Sequence, residues 1–320
     1  VNPTAEPTAE PTMMPSEEPT VPPTAEPTIN PPVTPDPSED PEVTSTSSLY
    51  VKKYADNAAM QRFLEDNILF TDVPPVSFTV GGKHSSALHW QKTVGEPTTE
   101  VDFAEETPSV RILRVITYVA EEVQIKIELT LTAYPDYPVV EYDARMYNLR
   151  SGYSPRIKDL LSIDTEIDTY EGADFLHANR GSLCQYSDFE PLTYRLNRKV
   201  SLEVTNGKPT SAYIPYFNVE NKVNNTGTIA ILNWQGNWKA EFSKQDNGIR
   251  MTSGQYQTDL ILREGESMRF PGTVLLFYKG DYMNGQNVYR RWLYHCNLFR
   301  KQGEHMKDTN VLVCSTTNTE

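Results

Sequence analysis

A period of two constrains this chain more than any other feature. Val123, Ile125, Ile127, Leu129 and Leu131 alternate with Gln124, Lys126, Glu128 and Thr130. Farther on, Val140, Tyr142, Ala144 and Met146 alternate with Glu141, Asp143 and Arg145. Successive side chains of a strand point to opposite faces, so each run presents one apolar and one polar face. The turn residues Tyr134-Pro-Asp-Tyr-Pro between the runs make them neighbouring antiparallel strands. Val200–Val204 followed by Asn206-Gly207 reads as a hairpin. Short strands recur near Thr228–Trp234, Trp238–Phe242, Ile249–Thr252, Thr258–Leu262 and Val274–Tyr278. Gln235-Gly236-Asn237, Asp246-Asn247-Gly248 and Glu264-Gly265-Glu266 separate them. Many short strands at close spacing predict an all-β antiparallel sandwich or barrel.

Helical periodicity is confined to the margins. Ala58–Asn67 places Met60, Phe63 and Leu64 on one side, enough for a short packing helix. Asn284–Phe299 repeats Val288, Trp292 and Cys296 every four residues, with Asn284 as the expected N-cap.

Composition then splits the chain. Of 24 prolines, 13 lie within residues 1–41, where Pro-Thr-Ala-Glu begins at Pro3, Pro7 and Pro23. Residues 1–48 hold 9 acidic groups and no Lys or Arg. Such a stretch has too little apolar surface to offset its ordering entropy and is expected to be an extended, disordered spacer. The expected division is a Pro/Thr/Glu-rich linker over 1–48, a β domain over 49–283, a helix over 284–300 and a polar tail over 301–320. The net charge is −14, of which the linker carries −9. The mildly acidic remainder has no basic stripe, so nucleic acid and anionic membrane surfaces are not expected partners. Val1 does not open a signal peptide, and Pro/Thr/Glu spacers commonly separate modules of exported bacterial proteins. The expectation is a secreted, extracellular protein numbered from within a longer precursor.

Few chemical motifs stand out. Cys184, Cys296 and Cys314 are widely spaced, with no Cys-x-x-Cys pair. One disulfide and a leftover thiol, or three thiols, both fit. The five histidines form no metal-binding pattern, and neither a metal nor a cofactor is expected. Asp136, Asp164, Asp188 and Asp281 all read as turn residues, and nothing selects a catalytic pair from among them. Trp234 and Trp238 flank Gln235-Gly236-Asn237, so on paired strands both indoles face one surface. They are either sandwich core or a platform that stacks on a sugar ring. The stretch His177–Phe189, dense in polar groups, reads as a long structured loop, with Arg180 and Asp188 as substrate-binding candidates or as an ion pair.

Taken in order, several segments resemble the N-terminal domain of family 36 glycoside hydrolases, the α-galactosidase or melibiase group. Trp234, Gly236, Trp238 and Glu241 are similar to that family's W-x-G-x-W-x-x-E segment. Thr252–Leu260 and Leu262-Arg-Glu-Gly-Glu-Ser resemble its Gly/Thr strand and L-x-P-G-E turn, with Glu264 where the family has Pro. Phe270–Asp281 and Gly285–Trp292 resemble the closing strand and the linker helix. The resemblance spans residues 49–300. It implies a β-supersandwich like that of galactose mutarotase, preceding a (β/α)8 barrel that carries both catalytic aspartates. No position here matches those aspartates, so no catalytic residue is expected in this chain. The implied role is noncatalytic: packing on the barrel, shaping the mouth for a galactose-containing oligo- or polysaccharide, and supporting contacts between copies of the chain. The alternative is a stand-alone carbohydrate-binding module on a Pro/Thr linker.

Overall fold

A computed structural model describes residues 41–102, 109–168, 173–246 and 248–297, together with 300–301 and 304–305. The Pro-rich stretch 1–40 and the tail after residue 305, which includes Cys314, lie outside the described residues.

The strands form two large antiparallel sheets, besides a two-stranded ribbon of Arg300–Lys301 with Glu304–His305. The larger has eleven strands. Its order is β10 (Pro191–Arg195), β9 (Asp174–Asn179), β12 (Tyr216–Asn221), β13 (Thr226–Asn233), β18 (Gly272–Lys279), β7 (Val139–Asn148), β6 (Ile125–Ala133), β5 (Ser109–Ala120) and β3 (Gln91–Val94). β4 (Thr98–Asp102) also pairs with β5, and β17 (Ser267–Arg269) with β7. The smaller sheet has seven strands, in the order β11 (Val200–Val204), β14 (Trp238–Lys244), β15 (Gly248–Gln255), β8 (Ile157–Asp168), β1 (Ser77–Val80) and β2 (Lys83–His84). Its seventh strand, β16 (Asp259–Leu260), pairs with β8.

The alternating runs behave as their period requires. β5, β6 and β7 form a meander in which Ile127 lies opposite Tyr118 on one side and Met146 on the other. Ile125, Ile127, Leu129 and Leu131 are buried, while their polar neighbours face outward. The main core fills the space between the sheets. The larger sheet contributes Tyr118, Phe217 and Leu275, and the smaller contributes Phe78, Trp238 and Phe242.

Three expected turns prove to be something else. β13 pairs with β12 and β18, whereas β14 pairs with β11 and β15. Gln235-Gly236-Asn237 is therefore no hairpin tip: residues 234–237 carry the chain from one sheet to the other. Asn206-Gly207 does the same in reverse, between β11 and β12, with Gly207 at φ +80°. The third crossing is Glu264-Gly265-Glu266, from β16 to β17. Local sequence shows that a turn occurs; which sheet receives the next strand depends on partners far away in sequence.

A second, smaller core covers the outer face of the larger sheet. α1 (Pro41–Tyr54), Ala55 just after it and α3 (Tyr282–Trp292) pack Val51, Ala55, Val288 and Trp292 against Val139, Ile229, Leu276 and Tyr278. α1 runs across residue 48, so the last residues of the expected linker are helical. α2 (Asn57–Leu64) continues into a π-helical turn, Glu65–Leu69. The N-cap of α3 is Asp281, not Asn284. Asp281 Oδ1 accepts from the Asn284 N–H at 2.9 Å, and Asn284 Oδ1 accepts from the Asp281 N–H at 3.0 Å. Both end groups of this capping box are thus satisfied, and the helix starts two residues earlier than its apolar repeat suggests. Gly285 lets α3 close onto β18, since a Cβ there would sit 2.5 Å from the Tyr278 ring.

Candidate functional site

The expected site residues gather at one end of the sandwich, where chain crossings and long loops meet. His177 is not part of a loop: it lies on β9, and the connection to β10 is residues 180–190. Arg180 bridges Tyr213, and the Gly181 and Ser182 N–H groups donate to Ala212 and Thr210 at 2.9 and 2.8 Å. That neighbouring segment also receives Trp238, whose Nε1 donates to the Pro209 carbonyl at 2.6 Å.

The side chains there have separate tasks. Trp238 is 0 % exposed and meets Phe217 edge-on at 5.5 Å. Trp234 is half-buried at the margin of the main core. The two indoles therefore form no shared face for a sugar ring. Arg180 donates from Nε to Glu190 at 2.8 Å rather than to Asp188. Asp188 instead accepts from the Ser182 hydroxyl at 2.7 Å and the Leu183 N–H at 3.0 Å. Those bonds to the ionised form hold its carboxyl below the usual carboxylate range. Leu183, Tyr186 and Phe189 project from the same loop and are exposed.

Other chemistry lies where the sequence does not point. Asp164 is no turn residue; it sits in mid-strand on β8 and pairs with Arg250 of β15 at 2.8 Å. It lines a cleft of about 330 Å³ with Glu166, Arg250, Ser77, His84 and Ser86, walled by Val73, Pro74 and Val76. A smaller recess of about 160 Å³ shares Asn67, Val73, Pro74, Asp164 and Thr165 with it and adds Phe63, Asp66 and Tyr142. Burial raises the Tyr142 phenol well above its ordinary value.

A histidine–carboxylate pair is also present. His177 Nε2 lies 2.8 Å from Glu220 Oε2, and Nδ1 lies 3.2 Å from Thr193 Oγ1. The Tyr282 ring stacks on the imidazole at 4.1 Å, and its N–H donates to Glu220 Oε1 at 3.1 Å. The first two contacts link β9, β12 and β10 within the larger sheet, and the two made by Tyr282 tie the start of α3 to them, so the pair is an anchor. Only the sheet register brings these residues together, placing β9 beside β12. Among the described residues no group of three or more His, Cys, Asp or Glu is arranged to hold a metal ion.

The sequence matches no protein-family model and no curated protein. Solved structures do match. The GH36 α-galactosidase AgaA of Geobacillus stearothermophilus, solved with stachyose, aligns over 72 % of this chain at a TM-score of 0.53 and 18 % identity. The α-galactosidase of Lactobacillus brevis aligns over 69 % at 0.52 and 14 %. AgaB of G. stearothermophilus aligns over 68 % at 0.51 and 16 %. The fold is that of the N-terminal domain of GH36 α-galactosidases. The aligned region makes up 31–33 % of those enzymes, so the chain spans about a third of their length. At such identities it is the architecture that is shared: two packed antiparallel sheets with a closing helix.

Proposed function

We infer that this chain is the noncatalytic β-sandwich domain of an exported α-galactosidase-type glycoside hydrolase. In this reading it packs on a catalytic barrel and shapes the mouth that admits terminal α-galactosides. The observation that carries the reading is the alignment of 68–72 % of the chain with roughly one third of GH36 α-galactosidases. The family's order of segments, from Trp234 to the α3 helix, supports it. The Pro/Thr-rich stretch 1–40 supports export, as a spacer between modules. Reading the chain as a stand-alone carbohydrate-binding module loses one of its two indoles, because Trp238 lies in the core.

Two measurements test this reading. Residues 1–320, folded and incubated with p-nitrophenyl α-galactoside, release no nitrophenol above a buffer blank. Hydrolysis needs two carboxylates flanking the sugar, and this reading assigns both to the barrel. The coding sequence beyond Glu320 should also alternate strands and helices and contain the paired aspartates. Turnover abolished by changing one acid in the sandwich would overturn the reading, as would a stop codon directly after Glu320.

A further inference from the structure

We propose that the cleft between β8, β15 and the segment Asn67–Ser77 binds a neutral polyol the size of a monosaccharide. The cleft exists because β1 is short. β1 pairs with β8 only from Ile157 to Leu161, while β15 continues along β8 to Asp168. From Ile163 onward, one edge of β8 has no strand neighbour among the described residues. The segment that leaves the π-helical turn stands there instead, held by the Thr165 hydroxyl donating to Asn67 Oδ1 at 2.9 Å. This leaves about 330 Å³ open beside the sheet, within the roughly 300–1,000 Å³ range of ligand clefts.

The lining selects the ligand. On the outward face Arg250 lies directly opposite Glu166, and Asp164 holds the guanidinium at 2.8 Å. Carboxylate and guanidinium side by side offer an acceptor and donors spaced for adjacent hydroxyl groups. Val73, partly exposed, supplies apolar surface at the cleft wall. Ser77 borders the cleft at 6 % exposure, its Oγ shut off from the open space.

Charge argues against the other ligand classes. Asp164, Glu166 and the nearby Asp66 outnumber Arg250, so an anion such as phosphate is disfavoured. The carboxylates do not converge as metal ligands, so a divalent cation is not favoured either. The ligand class follows from this lining alone, and the α-galactosidase reading stands or falls separately on its own assays.

The test is protein-observed 1H–15N NMR on residues 1–320, titrated with methyl α-galactoside, glucose, inorganic phosphate and calcium. We expect a sugar to bind in the millimolar range, with phosphate and calcium silent. Arg250→Ala should weaken binding at least tenfold. Ser86→Trp, which fills the cleft from an exposed position without touching the core, should abolish it. Trp234→Ala and Arg180→Ala, at the loop end, should leave it unchanged. Absence of sugar binding to the folded chain overturns the proposal. So does undiminished affinity in Ser86→Trp, sensitivity to Trp234→Ala in place of Arg250→Ala, or preferential binding of phosphate or calcium.

Discussion

At the scale of single residues, Trp238 carries more structure than any other candidate. It opens β14, fills the space against Phe217 and spends its N–H on Pro209. Trp238→Ala should cost about 3–5 kcal/mol in chemical denaturation, because both the burial and the resulting cavity count. Trp234→Ala, at the half-buried margin, should cost clearly less. Equal losses in the two variants would show that Trp234 is core as well. Arg180→Ala removes an exposed pair with Glu190, whose side chains are 49 % and 53 % accessible. Such pairs contribute roughly 0–1 kcal/mol, so its midpoint should hardly move. In the sequence Asn237 is no more than a turn residue. Its side chain accepts from the Gly207 N–H at 2.6 Å and donates to the Thr205 carbonyl at 3.1 Å, joining two crossings between the sheets.

At the scale of elements, α3 is held by two devices of different kinds. The capping box of Asp281 and Asn284 satisfies the helix start, and His177, Glu220 and Tyr282 fasten it to the sheet. Asp281→Ala should lower stability by about 0.5–2 kcal/mol, in the range of a lost N-cap. Tyr282→Ala removes the ring from His177 but leaves the backbone bond to Glu220. It should loosen α3 locally, read as faster amide exchange over Tyr282–Trp292 with little change in β5–β7. Uniform acceleration across both regions would mean that α3 opens only with the whole domain. The apolar repeat of Val288, Trp292 and Cys296 made this helix legible in the sequence. Its anchor was not, because His177 and Glu220 are 43 residues apart and meet only through the β9–β12 register.

At the scale of the whole molecule, burial of phenols links stability to alkaline pH. Tyr118, Tyr134, Tyr142, Tyr216 and Tyr278 are all raised above their ordinary value of about 10, chiefly by desolvation. The unfolded chain ionises these groups first. Their contribution is therefore complete below about pH 10 and is lost as pH rises beyond it. Unfolding free energy should stay level from neutral pH to that point and then fall, with Tyr142→Phe reducing the slope. A slope unchanged in that variant would assign the loss to other groups. Deleting residues 1–40 should leave the melting temperature within error, since a Pro-rich acidic stretch offers little apolar surface to bury. Deleting through Ala55 removes Val51 and Ala55 from the second core and should cost several degrees.

The period of two and the ordered run of segments from Trp234 to Trp292 were enough to determine an all-β sandwich and its kinship of fold. These properties are local: side-chain alternation and composition act within a few residues, and each strand carries its own signature. Only the tertiary structure decided which sheet each strand joins. It turned the Trp234–Trp238 connection from a hairpin into a crossing and sent Trp238 into the core. It also moved Asp164 from an expected turn to the floor of a cleft. Pairing is settled by partners scores of residues away, through the mutual burial of two faces. No local pattern records that outcome, and the polar groups of a site built across strands share in it.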